Sequence, residues 1–172
     1  MNNNAGKEKF NIRHAVKEDI PLVLWFIRSL ADYEKLSHEM VATERQLEKH
    51  LFGDRPKAEV IFGCAGGREV GFALFFHNFS TFLGKPGIYL EDLYVIPEER
   101  GKGYGKALLA CLAGLAVERD CGRLEWAVLD WNEPSIKFYE SLGARLMKEW
   151  IINRITGEAL RRLAGSETGI DR

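Results

Sequence analysis

The sequence predicts one α/β domain whose central mixed sheet carries helices on both faces. Its 172 residues, 46% of them hydrophobic, suffice for one domain, or at most two small ones, and can bury a sizeable core without disulfide bonds. Segments in which apolar residues recur at helical spacing alternate along the chain with strand-like runs. The predicted order is strand, two helices, three strands, helix, strand, helix, strand and a short final helix, which is typical of helices packed around one sheet. We expect residues 1–9 to form a frayed polar end and residues 10–172 to form the domain.

The charge balance and the apolar runs exclude several function classes. Lysines and arginines number 24 and aspartates and glutamates 25, for a net charge of −1. A protein that binds nucleic acid non-specifically usually has a basic excess. The longest nearly apolar run, Val70–Phe76, is far shorter than the roughly 20 residues that span a bilayer. Residues 1–10 lack the apolar core of a secretory signal. We therefore expect no nucleic-acid partner and no membrane partner.

The spacing of cysteines and histidines indicates the compartment and the absence of a metal site. The three cysteines, Cys64, Cys111 and Cys121, form an odd set without a CxxC motif. This pattern favours reduced thiols over a disulfide framework or a zinc site. The four histidines also show no metal-ligand spacing. The sequence therefore predicts a cytoplasmic protein without a bound metal.

The first predicted elements are one strand and two helices. Phe10–Arg13 reads as a short strand. Apolar residues from Ile20 to Ala31 follow the i, i+3, i+4, i+7 pattern of a helix. Thr43–Gln46 has the form of a capping box, which opens a second helix that we expect to end near Leu51.

Three strands are predicted next. Ala58–Cys64 and Val70–His77 flank Gly66–Gly67, which is typical of a tight hairpin. Ile88–Ile96 is the third strand, and Pro97 ends it.

A glycine cluster, Gly101–Gly105, then leads into a helix with one apolar face. Within the following elements, Asn132 suits the N-cap of a helix and Gly143 suits its C-terminal stop. The elements predicted after the glycine-entry helix are a strand at Leu124–Leu129, a helix at Asn132–Leu142, a strand at Leu146–Arg154 and a short helix at Glu158–Leu163.

The passage from strand to glycine cluster to helix predicts a diphosphate-binding turn. Helix N-termini present N–H groups and partial positive charge, and glycines let the backbone approach a phosphate closely. Arg100, Lys102 and Lys106 add cationic charge there. A Walker A loop is excluded because Ala107, which has no hydroxyl for magnesium, follows Lys106. The dinucleotide fingerprint is excluded because the three glycines are spaced one residue short. The structural alternative is a flexible surface loop.

Two blocks of residues resemble the GNAT superfamily of N-acetyltransferases. Arg100–Gly105 matches the R/Q-x-x-G-x-G/A signature of that superfamily. Asn132–Tyr139, followed by Leu142–Ala144, is similar to a later helix of the superfamily. The resemblance covers roughly Phe10 to Arg154. It implies the GNAT-like acyl-CoA N-acyltransferase fold and acetyl-CoA as the co-substrate.

Within the superfamily, three blocks are most similar to diamine (spermidine/spermine) and thialysine N-acetyltransferases: Leu30–Glu34, Tyr89–Asp92 and Trp131–Ile136. The resemblance implies that the acetyl acceptor is the primary amine of a small cationic diamine, polyamine or lysine-like amino acid. It also implies a homodimer. Two departures from the diamine pattern, a short segment before Glu149 and a short loop before Val70, favour a short substrate over a long polyamine.

The resemblance also implies contacts with acetyl-CoA. Backbone N–H groups between Leu93 and Val95 would hold the oxyanion at a local break in strand pairing. The implied cofactor-binding residues are Leu93, Tyr94, Val95, Arg100, Gly101, Lys102, Gly103, Tyr104, Gly105, Lys106, Asn132 and Ser135.

Amine acetylation needs a base and an acid. An alkyl ammonium has a pKa near 10.4 and must lose a proton before it attacks a thioester. Glu91 is the candidate base, acting directly or through a water, and Tyr139 is by resemblance the acid that protonates the departing thiolate. Because side chains alternate along a strand, Glu91 and Asp92 should face opposite sides. The substrate contacts implied by the resemblance are Tyr33, Glu34, Asp92, Glu149 and Trp150.

Two other functions fit the same fold. One is a non-catalytic acyl-CoA-binding or regulatory module, and the other is an enzyme that acetylates protein amines. The presence of both Glu91 and Tyr139 favours an enzyme over the non-catalytic module.

Overall fold

The computed structural model describes residues 9–165. Residues 1–8 of the predicted frayed end therefore lie outside the described residues. The chain forms two compact units, one up to Ala127 and one from Val128 onward. The extent of a single domain over residues 10–172 stays a prediction.

Five strands form one sheet in the first unit, in the spatial order β1-β2-β3-β4-β5. Neighbouring strands are antiparallel except for β4 and β5, which are parallel. This arrangement confirms the predicted mixed sheet. The strands are β1 (Asn11–His14), β2 (Glu59–Ala65), β3 (Arg68–Ser80), β4 (Lys85–Val95) and β5 (Leu124–Trp126).

Five α-helices occur in the described residues: α1 (Ile20–Glu34), α2 (Glu44–Leu51), α3 (Tyr104–Glu118), α4 (Glu133–Ser141) and α5 (Gly157–Ala164). Single 3₁₀ turns precede α1, follow α1 and follow β4, at Lys17–Asp19, Ser37–Glu39 and Pro97–Glu99. Among residues 9–165, none of these helices is long and apolar enough to cross a membrane.

Helices α1 and α3 cover opposite faces of the sheet. Phe26 of α1 stacks on Phe72 of β3, with ring centroids 5.0 Å apart. The neighbouring residue Gly71 faces α3, because a Cβ atom there would lie 3.3 Å from Leu108. Successive strand residues point to opposite faces, so the two helices lie on either side of β3, as predicted.

Local sequence signals produce the predicted turns and caps. Thr43 accepts a hydrogen bond from the N–H of Gln46 and forms the capping box that opens α2. Gly66 and Gly67 have φ of +58° and +78° and join β2 to β3 in a two-residue turn. The side chain of Asn132 caps α4, and Gly143 follows that helix with φ of +91°.

The prediction of a strand at Leu146–Arg154 is wrong. Within residues 9–165 no strand pairs with this segment, which has no regular secondary structure. Its apolar residues Trp150, Ile151 and Ile152 are exposed. A run of apolar residues such as this one forms a strand only where a partner strand supplies hydrogen bonds. The strand predicted at Leu124–Leu129 likewise ends at Trp126, where its pairing with β4 ends.

Candidate active site

A β-bulge interrupts β4 at Glu91. Leu74 of β3 pairs with Asp92, whereas the next residue, Phe75, pairs with Leu90. Glu91 is therefore the extra residue on β4, and its side chain is exposed. Asp92 shares the face of Tyr94, two residues further along, which packs against α1.

The carboxyl groups of Asp92 and Glu34 lie near each other where α1 ends over β4. Asp92 is half-buried, and its pKa is raised to about 7, chiefly by burial and further by the charges of Glu91 and Glu34. Burial also raises the pKa of Glu34. Asp92 thus has a pKa suited to a base at neutral pH. Sequence reasoning had assigned it only a substrate contact. Side chains alternate along β4, so Asp92 lies on the same face as Tyr94. This alternation was the sequence signal that could have placed Asp92 beneath α1.

One edge of β4 opens beyond Leu90. Pairing with β5 covers only Ile88 to Leu90. Further along, the N–H of Ile96 donates to Val70 of β3 at 3.0 Å. N–H groups alternate in direction along a strand. The N–H groups of Leu93 and Val95 therefore point away from β3, towards the edge of β4 beyond its pairing with β5. The resemblance implied N–H donors at these positions, although the pairing with β3 is irregular earlier, at Glu91.

The glycine turn provides open space at the N-terminus of α3. Gly101 and Gly103 have φ of +78° and +89°, and no atom lies within 4 Å of where a Cβ would stand at either residue. Gly103 is the N-cap and supplies no side-chain hydrogen bond to the first turn of the helix. The N–H groups that begin α3 therefore face a space that a phosphate could enter. The turn fits the diphosphate of acetyl-CoA.

The three basic residues that were predicted to lie beside the diphosphate make different contacts. Lys102 donates to Glu99 at 2.7 Å, and this hydrogen bond is the main cause of the lowered pKa of Glu99. Arg100 turns back to the strand, where its Nε donates to the carbonyl of Val95 at 2.9 Å. Lys106 is exposed and forms no ion pair within residues 9–165. Tyr104 stacks on Phe10 with ring centroids 4.5 Å apart, which leaves its backbone N–H as its contribution to the turn.

Arg100 also joins the glycine turn to α1. Its guanidinium lies 4.4 Å from the ring centroid of Tyr33 and 5.3 Å from that of Tyr94. The structure therefore brings together Tyr33, Glu34, Asp92, Tyr94 and Arg100, which the sequence had divided between the substrate and the cofactor.

The other predicted site residues belong to the second unit. Asn132 is buried, and its side-chain oxygen accepts from the N–H of Ser135 at 3.4 Å. Tyr139 is half-buried on α4 and contacts the ring of Phe138, with centroids 5.3 Å apart. Glu149 and Trp150 are exposed in the irregular segment after α4. Within the described residues, no group of histidine, cysteine and carboxylate side chains could hold a metal ion.

Comparison with known proteins gives the family. The model of the acetyltransferase (GNAT) family matches residues 24–144. The chain is 38% identical to a mouse thialysine N-epsilon-acetyltransferase over 90% of this chain and 96% of that protein. It is 34% identical to an L-ornithine N5-acetyltransferase from Arabidopsis thaliana over 88% of this chain and 86% of that protein.

A solved structure is also similar to this chain. An integron cassette protein from the mobile metagenome of V. cholerae superposes with a TM-score of 0.76 at 31% identity, covering 91% of this chain and 98% of that one. These findings confirm the resemblance that Arg100–Gly105 and Asn132–Tyr139 carry. The chain belongs to the GNAT family and is an N-acetyltransferase.

Proposed function

We propose that the protein transfers the acetyl group of acetyl-CoA to the primary amine of a short cationic substrate by direct attack. The observation that supports this most is the half-buried carboxyl of Asp92, whose pKa is raised to about 7 beside Glu34. It lies on the strand that continues into the glycine turn. In this proposal, one segment of the chain carries both the base for the amine and the residues that bind the cofactor.

The residues of the turn would hold acetyl-CoA, which supplies the acetyl thioester. Backbone N–H groups at the start of α3 bind the diphosphate, helped by the exposed charge of Lys106. The N–H groups of Leu93 and Val95, on the open edge of β4, stabilise the oxyanion. By resemblance, Tyr139 protonates the departing thiolate, and Asn132 and Ser135 complete the cofactor contacts.

The carboxylates would receive the ammonium and remove its proton. Asp92 and Glu34 attract a cation, and the ring of Tyr33 beside them already holds the guanidinium of Arg100 against one face. We assign proton removal to Asp92 because its pKa of about 7 matches neutral pH. Glu91, the base that the sequence favoured, is exposed at the bulge, where it would act through a water.

The substrate is expected to be short. Only four residues separate Ala144 from Glu149, so little acidic chain is available for a second, distant ammonium. The relatives named for thialysine and ornithine also act on small amines. The homodimer that the resemblance implied and the cytoplasmic location that the cysteine pattern predicted stay predictions.

The test is thiol release from acetyl-CoA in the presence of a panel of amines. We expect release with short cationic amines, confirmed by mass spectrometry of the N-acetyl product. Neutral amines of similar size serve as controls. Binding of acetyl-CoA without thiol release for any amine would favour the non-catalytic module instead.

A further inference from the structure

The carboxylate of Glu99 is buried beneath two cations. It lies in the 3₁₀ turn before the glycine turn, and its side chain is only 6% exposed. Arg68 donates from Nη2 to its Oε1 at 2.5 Å, and Lys102 donates from Nζ to its Oε2 at 2.7 Å. The side chains of Arg68 and Lys102 are 62% and 50% exposed. The two cations therefore lie on the solvent side of the carboxylate.

This cluster carries more positive charge than the burial of Glu99 requires. A buried carboxylate is costly unless it is paired with a cation, and either Arg68 or Lys102 alone would neutralise it. With both present, the cluster has a net positive charge. Two cations this close repel each other unless an anion lies between them. Glu99 therefore holds two exposed cations together beside one another, which is the arrangement that a doubly charged anion requires.

The two cations come from different segments that meet at the glycine turn. Lys102 lies within the turn itself, whose glycines face open space. Arg68 begins β3, and the hydrogen bond from the N–H of Ile96 to the carbonyl of Val70 fastens this part of β3 to the end of β4. The cluster therefore borders the turn on the side of β3, next to the N–H groups that are proposed to bind the diphosphate.

Acetyl-CoA carries one phosphate besides its diphosphate, the 3′-phosphate of its ribose. A phosphate monoester has a charge of about −1.5 to −2 at neutral pH. The planar guanidinium of arginine binds phosphate through two parallel hydrogen bonds. Within residues 9–165, Arg68 makes its one side-chain hydrogen bond to Glu99, through Nη2. Its remaining N–H groups can donate to a phosphate while Glu99 keeps the guanidinium in place.

Glu99 makes this arrangement favourable for binding, although its own charge repels a phosphate. A side chain that is already held in position loses less conformational entropy when it binds a ligand. The two cations are closer to solvent than the carboxylate is, and their charges exceed its charge. A phosphate that approaches from solvent therefore meets the cations first.

We propose that Arg68 and Lys102, positioned by Glu99, form a subsite for the 3′-phosphate of acetyl-CoA. Arg68 and Lys102 bind the phosphate, and Glu99 is a positioning residue that does not touch it. This assignment rests on the function proposed above, in which the glycine turn binds the diphosphate of the same cofactor.

The experiment compares two cofactors that differ only in this phosphate. The Kd values of acetyl-CoA and of acetyl-3′-dephospho-CoA are measured by calorimetry. We expect the wild-type protein to bind acetyl-CoA about tenfold or more tightly than the dephospho form, because charge-assisted hydrogen bonds are lost with the phosphate. Arg68→Gln should weaken acetyl-CoA binding by about tenfold and change the Kd of the dephospho form by less than about twofold, on the same principle.

Arg119→Gln is the matched control. Arg119 also forms an ion pair with a glutamate, Glu59, but it lies at the C-terminal end of α3, the end opposite the glycine turn. This variant should change neither Kd. Circular dichroism shows whether both variants fold, and Arg68→Gln leaves Glu99 paired with Lys102. At saturating acetyl-CoA, kcat for the amine should be the same in Arg68→Gln as in the wild type.

Two results would overturn the subsite. One is equal affinity of the wild-type protein for the two cofactors. The other is an equal effect of Arg68→Gln on both Kd values, which would assign Arg68 to the diphosphate or to the shape of the turn. Both results leave the proposed function intact. If the wild-type protein bound neither cofactor, the proposed function would fail, and the subsite would fail with it.

Discussion

The guanidinium of Arg100 lies over the ring of Tyr33, 4.4 Å from its centroid. This contact connects the glycine turn, where the cofactor is proposed to bind, with the end of α1, where the amine is proposed to bind. The hydrogen bond from Arg100 to the carbonyl of Val95, at 2.9 Å, holds the guanidinium there. Arg100 therefore positions Tyr33 in addition to lying beside the turn.

Replacing Arg100 should affect both substrates. Arg100→Ala removes the contact with Tyr33, so we expect KM for the amine to rise by about two- to fivefold, the range of one exposed cation–π contact. KM for acetyl-CoA should rise as well. Lys106→Ala removes a charge at the same turn that contacts no aromatic ring of residues 9–165, so it should raise only KM for acetyl-CoA. Steady-state kinetics with each substrate varied separately distinguishes the two variants. An Arg100→Ala effect confined to acetyl-CoA would show that the contact with Tyr33 has no functional role.

The open space at Gly103 should be needed for cofactor binding. Gly103→Val places a β-branched side chain where the backbone would meet phosphate, so we expect acetyl-CoA affinity to fall by about tenfold or more because the helix N-terminal N–H groups are blocked.

Gly84→Val is the control for that variant. Gly84 also has a positive φ, +61°, and open space at its Cβ position, but it lies in the turn between β3 and β4. Both variants strain the backbone by about 1–2 kcal/mol. Calorimetry should show lost affinity in the Gly103 variant alone, with circular dichroism showing that both proteins fold. Normal affinity in Gly103→Val would remove the diphosphate from this turn.

Tyr139 should act on the chemical step. Tyr139→Phe keeps the ring and removes the hydroxyl, so loss of the general acid is expected to lower kcat by roughly 10²–10⁴-fold with little change in KM. Tyr89→Phe, a change on β4 that also removes one hydroxyl, should leave kcat near the wild-type value. If Tyr139→Phe were nearly as active as the wild type, another group or water would be the proton donor.

Glu34 should contribute to amine binding. Glu34→Gln removes a carboxylate from beside Asp92, so we expect KM for cationic amines to rise while acetyl-CoA affinity stays unchanged. The dependence of amine KM on salt should also weaken, because salt screens one charge pair fewer. KM for the amine, measured at low and at high ionic strength, tests both effects. Gln46→Glu on α2 is the control variant, because it changes a charge elsewhere. An unchanged KM together with equal acetylation of neutral aromatic amines would exclude a cationic pocket.

Local signals in the sequence determine much of this fold. The pair Gly66–Gly67 predicts its hairpin because only residues that tolerate positive φ fit that turn. The capping box at Thr43 and the N-cap at Asn132 likewise depend on residues within one helical turn. Such elements follow from the sequence because their hydrogen-bond partners are close in the chain.

Features that depend on distant partners were missed. The bulge at Glu91 arises from the register between β3 and β4, for which β4 alone carries no signal. The orientation of Arg100 depends on Tyr33, which lies on a different element. The strand predicted at Leu146–Arg154 is wrong for a related reason, since the apolar residues of a segment do not specify a partner strand. The residues of the candidate site were found by resemblance, but their grouping around Asp92 required the structure.

The pH dependence of kcat/KM is the most direct test of whether Asp92 accepts the proton of the amine. The pKa of Asp92 is raised to about 7, and the group must be deprotonated to act as a base, so kcat/KM should rise with pH and level off above about pH 7. Asp92→Asn should lower kcat and abolish this limb, whereas Glu91→Gln should retain it. Glu34→Gln should shift the limb to lower pH, because the charge of Glu34 helps to raise the pKa of Asp92. A limb that persists in Asp92→Asn and disappears in Glu91→Gln would contradict the assignment and make Glu91 the base.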